Sequence, residues 1–307
     1  MIAYLTRRIV RVIVTVLLVV FILFMLLSSL PGSRLRSMPS YGGGDALDKA
    51  LEFFNAGDGL FTKYLRYCYN VLTKLDFGVS PLTNRQIADN LFKYGRVTTY
   101  ILVISLALAL LIGIPAGAFT AVTKSRTADK TVSIVMLALS SIPSYTIAMM
   151  IVLVIVVRFK LLPMNYSTVT PRALLMPALT LILSSAASIA RMVRASMRET
   201  LEEPFITALR AKGLREDSVV YRHALKNALI PIISTLKGFT VRLLCGTFVI
   251  EHFFNIHGLG LFLLRSVNDR YHMEILGCTT IIAFGIAIVS IICDLLYSLA
   301  DPQIKLL

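Results

Sequence analysis

Apolar runs too long for a soluble core dominate this chain. From Val12 to Leu30 nineteen residues pass without a charge, and a helix needs about 20 such residues to cross the hydrocarbon of a bilayer. Comparable windows recur at about residues 98–123, 131–157, 173–190 and 275–293. A sixth, residues 227–250, is apolar enough to cross but carries Lys237 and Arg242. Only helices and closed barrels satisfy their own backbone in lipid, and runs of this length suit helices. The expected fold class is therefore all-α integral membrane with six transmembrane helices.

Composition agrees with that reading. Of 307 residues, 56% are hydrophobic and 16% charged, with a mean hydropathy of +0.77, which excludes both an ordinary globular enzyme and a disordered chain. The first apolar run exceeds a signal-peptide core, and no small-x-small cleavage site follows it. Residues 1–30 are thus expected to be a retained anchor helix.

A formal charge of +14 would suggest nucleic acid in a soluble protein, so its placement decides its meaning. Here it sits in loops between apolar runs, with no basic stripe interleaved with aromatics, and nucleic acid is not an expected partner. With the N-terminus inside, the inner segments hold fifteen Lys and Arg, and the short outer loops hold five, Arg158, Lys160, Arg172, Arg265 and Arg270. The bias puts both termini in the cytoplasm. Residues 31–97 form a long extracytoplasmic subdomain between helices 1 and 2, and residues 98–307 the membrane core. Within the subdomain Tyr41-Gly-Gly-Gly44 is a break, while Leu60, Tyr64, Leu65, Cys68 and Leu72 recur at helical spacing. A turn at Leu75-Asp-Phe-Gly78 and a second short helix over residues 84–92 are expected to follow.

The most informative stretch is the inner loop at about residues 199–226. It is polar, yet Phe205, Ala208 and Leu209, then Val219, Val220, His223 and Ala224, follow a helical period. Gly213 should close a first short helix through a left-handed residue, and Asp217 or Ser218 should cap a second. Two flat helices with an apolar edge and a basic rim suit docking into a groove of a soluble partner; an interfacial helix on lipid headgroups would show the same period.

Arg242 lies near mid-depth of its span, where a charge is costly unless it meets a wet cavity or a partner. It is expected to line a path together with Phe239, Ser141 and Ser144, its fork of donors suiting a carboxylate. Pairing with an acid on another membrane chain is the competing reading. Small residues on the third and fourth spans, among them Ser184 and Ser188, suit close helix packing, and Pro143 should break its span. The four cysteines show no ligand or disulfide spacing, and His252, His257 and His272 near Glu251 and Asp269 fit no metal pattern.

Phe205-Ile-Thr-Ala-Leu-Arg-Ala-Lys-Gly-Leu214, followed by Tyr221-Arg-His-Ala-Leu-Lys-Asn-Ala-Leu-Ile-Pro231, resembles the cytoplasmic loop of ABC-importer permeases of the dipeptide/oligopeptide/nickel family. Further motifs stand in that family's order: Pro31-Gly32, Leu75-Asp-Phe-Gly78, Ile112-Gly-Ile-Pro115, Ser141-Ile-Pro-Ser144, Leu162-Pro163, Met176-Pro-Ala-Leu179, Gly258-Leu-Gly260 after Glu251, and Asp301-Pro302. Thr207 stands where the family's general motif has Glu, Ser33 replaces an acid after Pro31-Gly32, and Ile256-His257 replaces Trp-Pro.

The resemblance implies a type I ABC importer permease fold in a bacterial cell membrane, inner or plasma. The ATPase-coupling residues would be Phe205, Thr207, Ala208, Ala211, Lys212, Gly213, Leu214 and Arg215. Glu251, Gly258 and Gly260 would meet an extracytoplasmic substrate-binding protein. The other implied partners are a homologous second permease subunit and two ABC ATPase subunits, with peptide as cargo and lipid around. The chain itself has no GxxxxGK[ST] phosphate loop, so ATP and Mg belong to the ATPases, and no cofactor or enzyme activity is expected here. A nickel or metal-chelate permease is the alternative cargo class. A stand-alone ion-coupled carrier would want inverted repeats and intramembrane carboxylates, and an intramembrane hydrolase a buried nucleophile and base.

Overall fold

The computed structural model describes residues 2–29, 59–80, 85–162 and 171–300. The glycine break at 41–44, Pro31-Gly32, Ser33, Pro163 and Asp301-Pro302 lie outside them. Among the described residues ten helices follow in order: α1 (Ile2–Ser29), α2 (Leu60–Lys74), α3 (Ile87–Val122), α4 (Arg126–Ser141), α5 (Ser144–Ile151, continuing as a π-helical stretch, Val152–Arg158), α6 (Pro171–Leu201), α7 (Pro204–Ala211), α8 (a π-helical Ser218–Ala224 running into Leu225–Phe253), α9 (Leu259–Asn268) and α10 (His272–Ala300). Among the described residues the β structure is one isolated bridge, Val79 to Gln86.

Five helices, α1, α3, α6, α8 and α10, are long and apolar enough to cross a membrane. The sixth span is broken: α4 and α5 meet at 105°. Proline forces its predecessor out of the helical region, and Ile142 accordingly takes φ −77°, ψ 130° before Pro143, whose carbonyl restarts the ladder to Thr146 and Ile147. The window over residues 131–157 is thus two helices, broken at the proline expected to break it. The short helix expected over residues 84–92 is likewise the start of α3, since nothing between Ile87 and the second span stops it.

The chain divides into two compact units, residues 1–98 with 257–291, and residues 99–256 with 292–307. In the first, α2 closes on Leu75 in the left-handed region (φ 52°), and the expected turn follows, the Asp76 carboxylate accepting from the Gly78 amide at 2.9 Å. Glu274, 4% exposed, is enclosed between two hydroxyls: Ser80 donates to one carboxylate oxygen, and Ser266 Oγ lies 2.8 Å from the other. An unpaired buried hydroxyl costs about 1–3 kcal/mol. Glu274→Ala should therefore destabilise this unit by about 2 kcal/mol or more, and Glu274→Gln by less, read as thermal unfolding in detergent.

In the second unit α6 is the hub. At Gly113 and Gly117 the backbone of α3 comes against it, so that a Cβ at Gly113 would stand 2.8 Å from the Ala186 carbonyl oxygen and one at Gly117 2.6 Å from Val193 Cβ. This is the small-xxx-small spacing of close membrane helices. Asp129 on α4 takes a fork from Arg194 (2.8 Å) and a further bond from Arg198 (3.0 Å), both on α6. Ser196 of α6 donates to the Ala228 carbonyl of α8 at 2.9 Å. Hydroxyls within the helices mostly bond back to their own backbone, as Thr180, Ser188, Thr240 and Thr247 do, which gives each polar side chain a partner in apolar surroundings.

Candidate functional site

The inner loop is an ordered projection. Pro204 opens α7 at a position where its missing amide is no loss. The helix closes as a Schellman motif: the Gly213 amide donates to the Arg210 carbonyl at 2.9 Å and the Leu214 amide to Leu209 at 3.4 Å, with Gly213 at φ +78°. The role expected for Gly213 is met. Neither Asp217 nor Ser218 caps the next helical stretch by its side chain. The second element is no separate flat helix either, because Ser218–Ala224 continues without interruption into α8.

One side of this projection is anchored. Ile206 is fully buried, as are Val219, Val220 and Ala224. Phe205 remains 38% exposed, and Thr207, Ala208, Ala211, Lys212, Gly213 and Arg215 are exposed, Leu214 partly so. Arg210 and Glu216 brace the loop at 2.7 Å. The guanidinium bond holds the Glu216 carboxyl below its ordinary pKa, with a smaller contribution from Lys124, so the pair stays ionised into mildly acidic conditions. Ile206 is the anchor that a period counted from Phe205 and Leu209 overlooks.

The residues expected along a path fare differently. Arg242 is exposed and makes no ion pair among the described residues. Gly246, one turn on along the same stripe, lets α5 approach, with Ser144 Oγ 3.9 Å from where its Cβ would be. Ser141 is exposed and Ser144 half-buried, on either side of the break at Ile142-Pro143. Phe239, in contrast, is 7% exposed and packs inside the chain. Three positions before Arg242 it is only about 60° round the helix, yet its ring is covered by the rest of the chain, which corrects the expectation that it lines an open path.

At the opposite end of α8 the three residues expected to meet an outer protein, Glu251, Gly258 and Gly260, are all buried. Their side of the turn is inside: the Ile256 amide bonds to the Glu251 carbonyl, and the Leu259 amide at the start of α9 donates to Thr98 Oγ1 at 2.8 Å. The surface at this turn belongs instead to His252, Asn255 and His257. His257 packs beside the ring of Tyr94, and burial with the nearby charges of Arg265 and Lys93 pushes its pKa down. No group of three or more potential metal ligands is brought together among the described residues.

Residues 113–306 match the family described as binding-protein-dependent transport system inner membrane component. The dipeptide transport system permease protein of Bacillus subtilis (strain 168) is 30% identical over 306 residues, covering 99% of this chain and 98% of that protein. The glutathione transport system permease protein of Escherichia coli (strain K12) is 28% identical over 309 residues, 99% of each. A putative peptide permease protein of Brucella ovis is 37% identical over 68% of each chain. Among solved structures, an amino acid ABC transporter with histidines shares the fold at 16% identity and a TM-score of 0.52, over 68% of this chain and 93% of that one. With its broken sixth span, close α3–α6 crossing and projecting inner loop, this multi-pass membrane protein belongs to the binding-protein-dependent transport system inner membrane components, the permease subunits of ABC importers.

Proposed function

We propose that the chain is one of two unlike permease subunits of an ATP-driven importer for oligopeptides or dipeptides, set in a bacterial inner or plasma membrane with both termini in the cytoplasm. The observation that carries this reading is the end-to-end similarity to permeases named for dipeptide and glutathione transport. Two ABC ATPase subunits supply the Mg-ATP hydrolysis, and an extracytoplasmic binding protein delivers the peptide. The permease itself performs no covalent step and holds no cofactor.

Its part is mechanical. The segment around Phe205 to Arg215 docks on an ATPase subunit, and closure of the ATPases moves α7 and, through the unbroken Ser218–Phe253 helix, the wall of the path. The exposed Phe205 beside a buried Ile206 supports this, since one residue offers a knob while its neighbour fixes it. Arg242, with Ser141 and Ser144 at the break, contacts the peptide backbone or carboxylate as the cavity alternates between its two openings.

The test is uptake by the complete transporter in liposomes, with a labelled peptide library and nickel offered separately. Peptide uptake that needs ATP and every partner chain is expected. Nickel uptake in its place would overturn the cargo, and peptide uptake indifferent to ATP would turn the reading to a stand-alone carrier.

A further inference from the structure

Helix α2 belongs to the long segment between the first two spans, yet its contacts lie deep along α1 and α10. The Tyr64 hydroxyl donates to the Leu17 carbonyl of α1 at 2.8 Å, and Phe21 meets the rings of Phe61 and Tyr64 at 6.4 and 5.0 Å. Phe24 faces Tyr67 at 6.5 Å, and the Tyr67 hydroxyl is 3.0 Å from Thr280 Oγ1 of α10. At 1.5 Å per residue Leu17 lies about 18 Å along α1 from Ser29, and Thr280 about 12 Å along α10 from His272. The apolar stretch of α1 runs from Thr6 to Ser29, which puts Leu17 near its middle. A hydrocarbon core about 30 Å thick reaches about 15 Å from its midplane, so contacts at these two depths set α2 below the headgroups.

The sequence of α2 divides into three faces to match. Lys63, Tyr64, Tyr67 and Val71 are buried against the protein. Thr62, Arg66 and Thr73 form an exposed polar stripe. Between these runs an exposed apolar stripe, Phe61, Leu65, Tyr69 and Leu72, each about half exposed or more (49–61%). A helix in water has no use for the third face, whereas a helix lying in a membrane interface needs all three. The stripe is also continuous with the exposed apolar surface of the first span: Phe61 touches Phe21 of α1, whose neighbours Leu18 and Ile22 are exposed.

We propose that α2 is a membrane-inserted helix, with Phe61, Leu65, Tyr69 and Leu72 among the acyl chains of the leaflet that receives the C-terminal end of α1, and Thr62, Arg66 and Thr73 toward the headgroups. The chain between the first two spans is then moored to the bilayer at α2.

The chain contains no tryptophan, so single tryptophans report without background. Full-length Leu65→Trp, Leu72→Trp and Arg66→Trp chains go into vesicles of brominated phosphatidylcholine, with Ile22→Trp on α1 as the inserted reference. Quenching at Leu65→Trp and Leu72→Trp should match the reference and exceed that at Arg66→Trp by about two-fold or more, while acrylamide reaches Arg66→Trp preferentially. In the assembled wild-type transporter, an acyl-chain diazirine lipid should label the peptide spanning Phe61 to Leu72. Acrylamide quenching at Leu65→Trp and Leu72→Trp, with the reference still in lipid, would place α2 in water and overturn the proposal. Protection of both positions from both quenchers, or absence of photolabel in the assembled transporter, would overturn it in favour of a protein covering the stripe.

Discussion

Gly117→Ala should destabilise the chain by about 1–3 kcal/mol, the usual cost of overpacking, although alanine is the better helix former by about 1 kcal/mol. The reason is contact. A methyl at this position meets the Ala190 carbonyl and stands 2.6 Å from Val193 Cβ, both on α6. Backbone cannot rotate away as a side-chain tip can, so α3 and α6 must part, and a gap of even 0.5–1 Å forfeits much of the dispersion attraction along the crossing. Gly113→Ala, with its Cβ 2.8 Å from the Ala186 carbonyl oxygen and 2.9 Å from Ile189 Cβ, should behave alike, and Gly117→Leu should fail to give a monodisperse protein. The comparison that isolates packing is Gly285→Ala in α10, where nothing lies within 4 Å; there propensity acts alone and stability should hold or rise. Thermal unfolding of the three variants in one detergent reads the difference. Equal behaviour at Gly117 and Gly285 would mean that the α3–α6 crossing does not bear on stability.

What could be read from the residues beforehand divides by range. The spans, the break at Pro143 and the closing glycine of α7 are local properties, set by runs of apolar residues or by one residue's φ, and they appear where the sequence puts them. Gly113 and Gly117 were equally legible as small residues four apart in an apolar run, but the eye falls on the Ile112-Gly-Ile-Pro115 motif that overlaps them. The Asp129 clamp was not legible, because its partners lie 65 and 69 positions away and no local pattern announces a tertiary ion pair. Glu251, Gly258 and Gly260 misled for a related reason: a polar residue and two glycines look like an outer surface, whereas burial depends on what packs over them. The same holds for Phe239, a few residues from Arg242 in sequence yet turned into the interior. Between Phe205 and Ile206 periodicity alone could not choose which of two adjacent apolar residues is the anchor and which the knob.

That last pair separates docking from folding. On the proposed coupling role, Phe205→Asp should cut ATP-dependent uptake by about 30-fold or more, the loss expected when an aromatic anchor worth about 2 kcal/mol is removed from an interface centre. Thermal stability should stay near wild type, since Phe205 keeps over a third of its surface in solvent and an added carboxylate there needs no desolvation. Ile206→Asp one residue on should do the reverse in order: a carboxylate in a fully buried site costs several kcal/mol or drives local unfolding, so stability falls first and uptake with it. The Schellman closure gives a third, graded point. Gly213→Ala meets no neighbour within 4 Å but must hold φ +78°, a strain of about 1–2 kcal/mol confined to the loop, and should lower uptake less than Phe205→Asp does. Copurification of the ATPase docked on this chain tells the two mechanisms apart: Phe205→Asp loosens it with the permease intact. A Phe205→Asp permease that retains both its ATPases and its uptake would remove α7 from the coupling path and leave the exposed phenylalanine to the headgroup region of the bilayer.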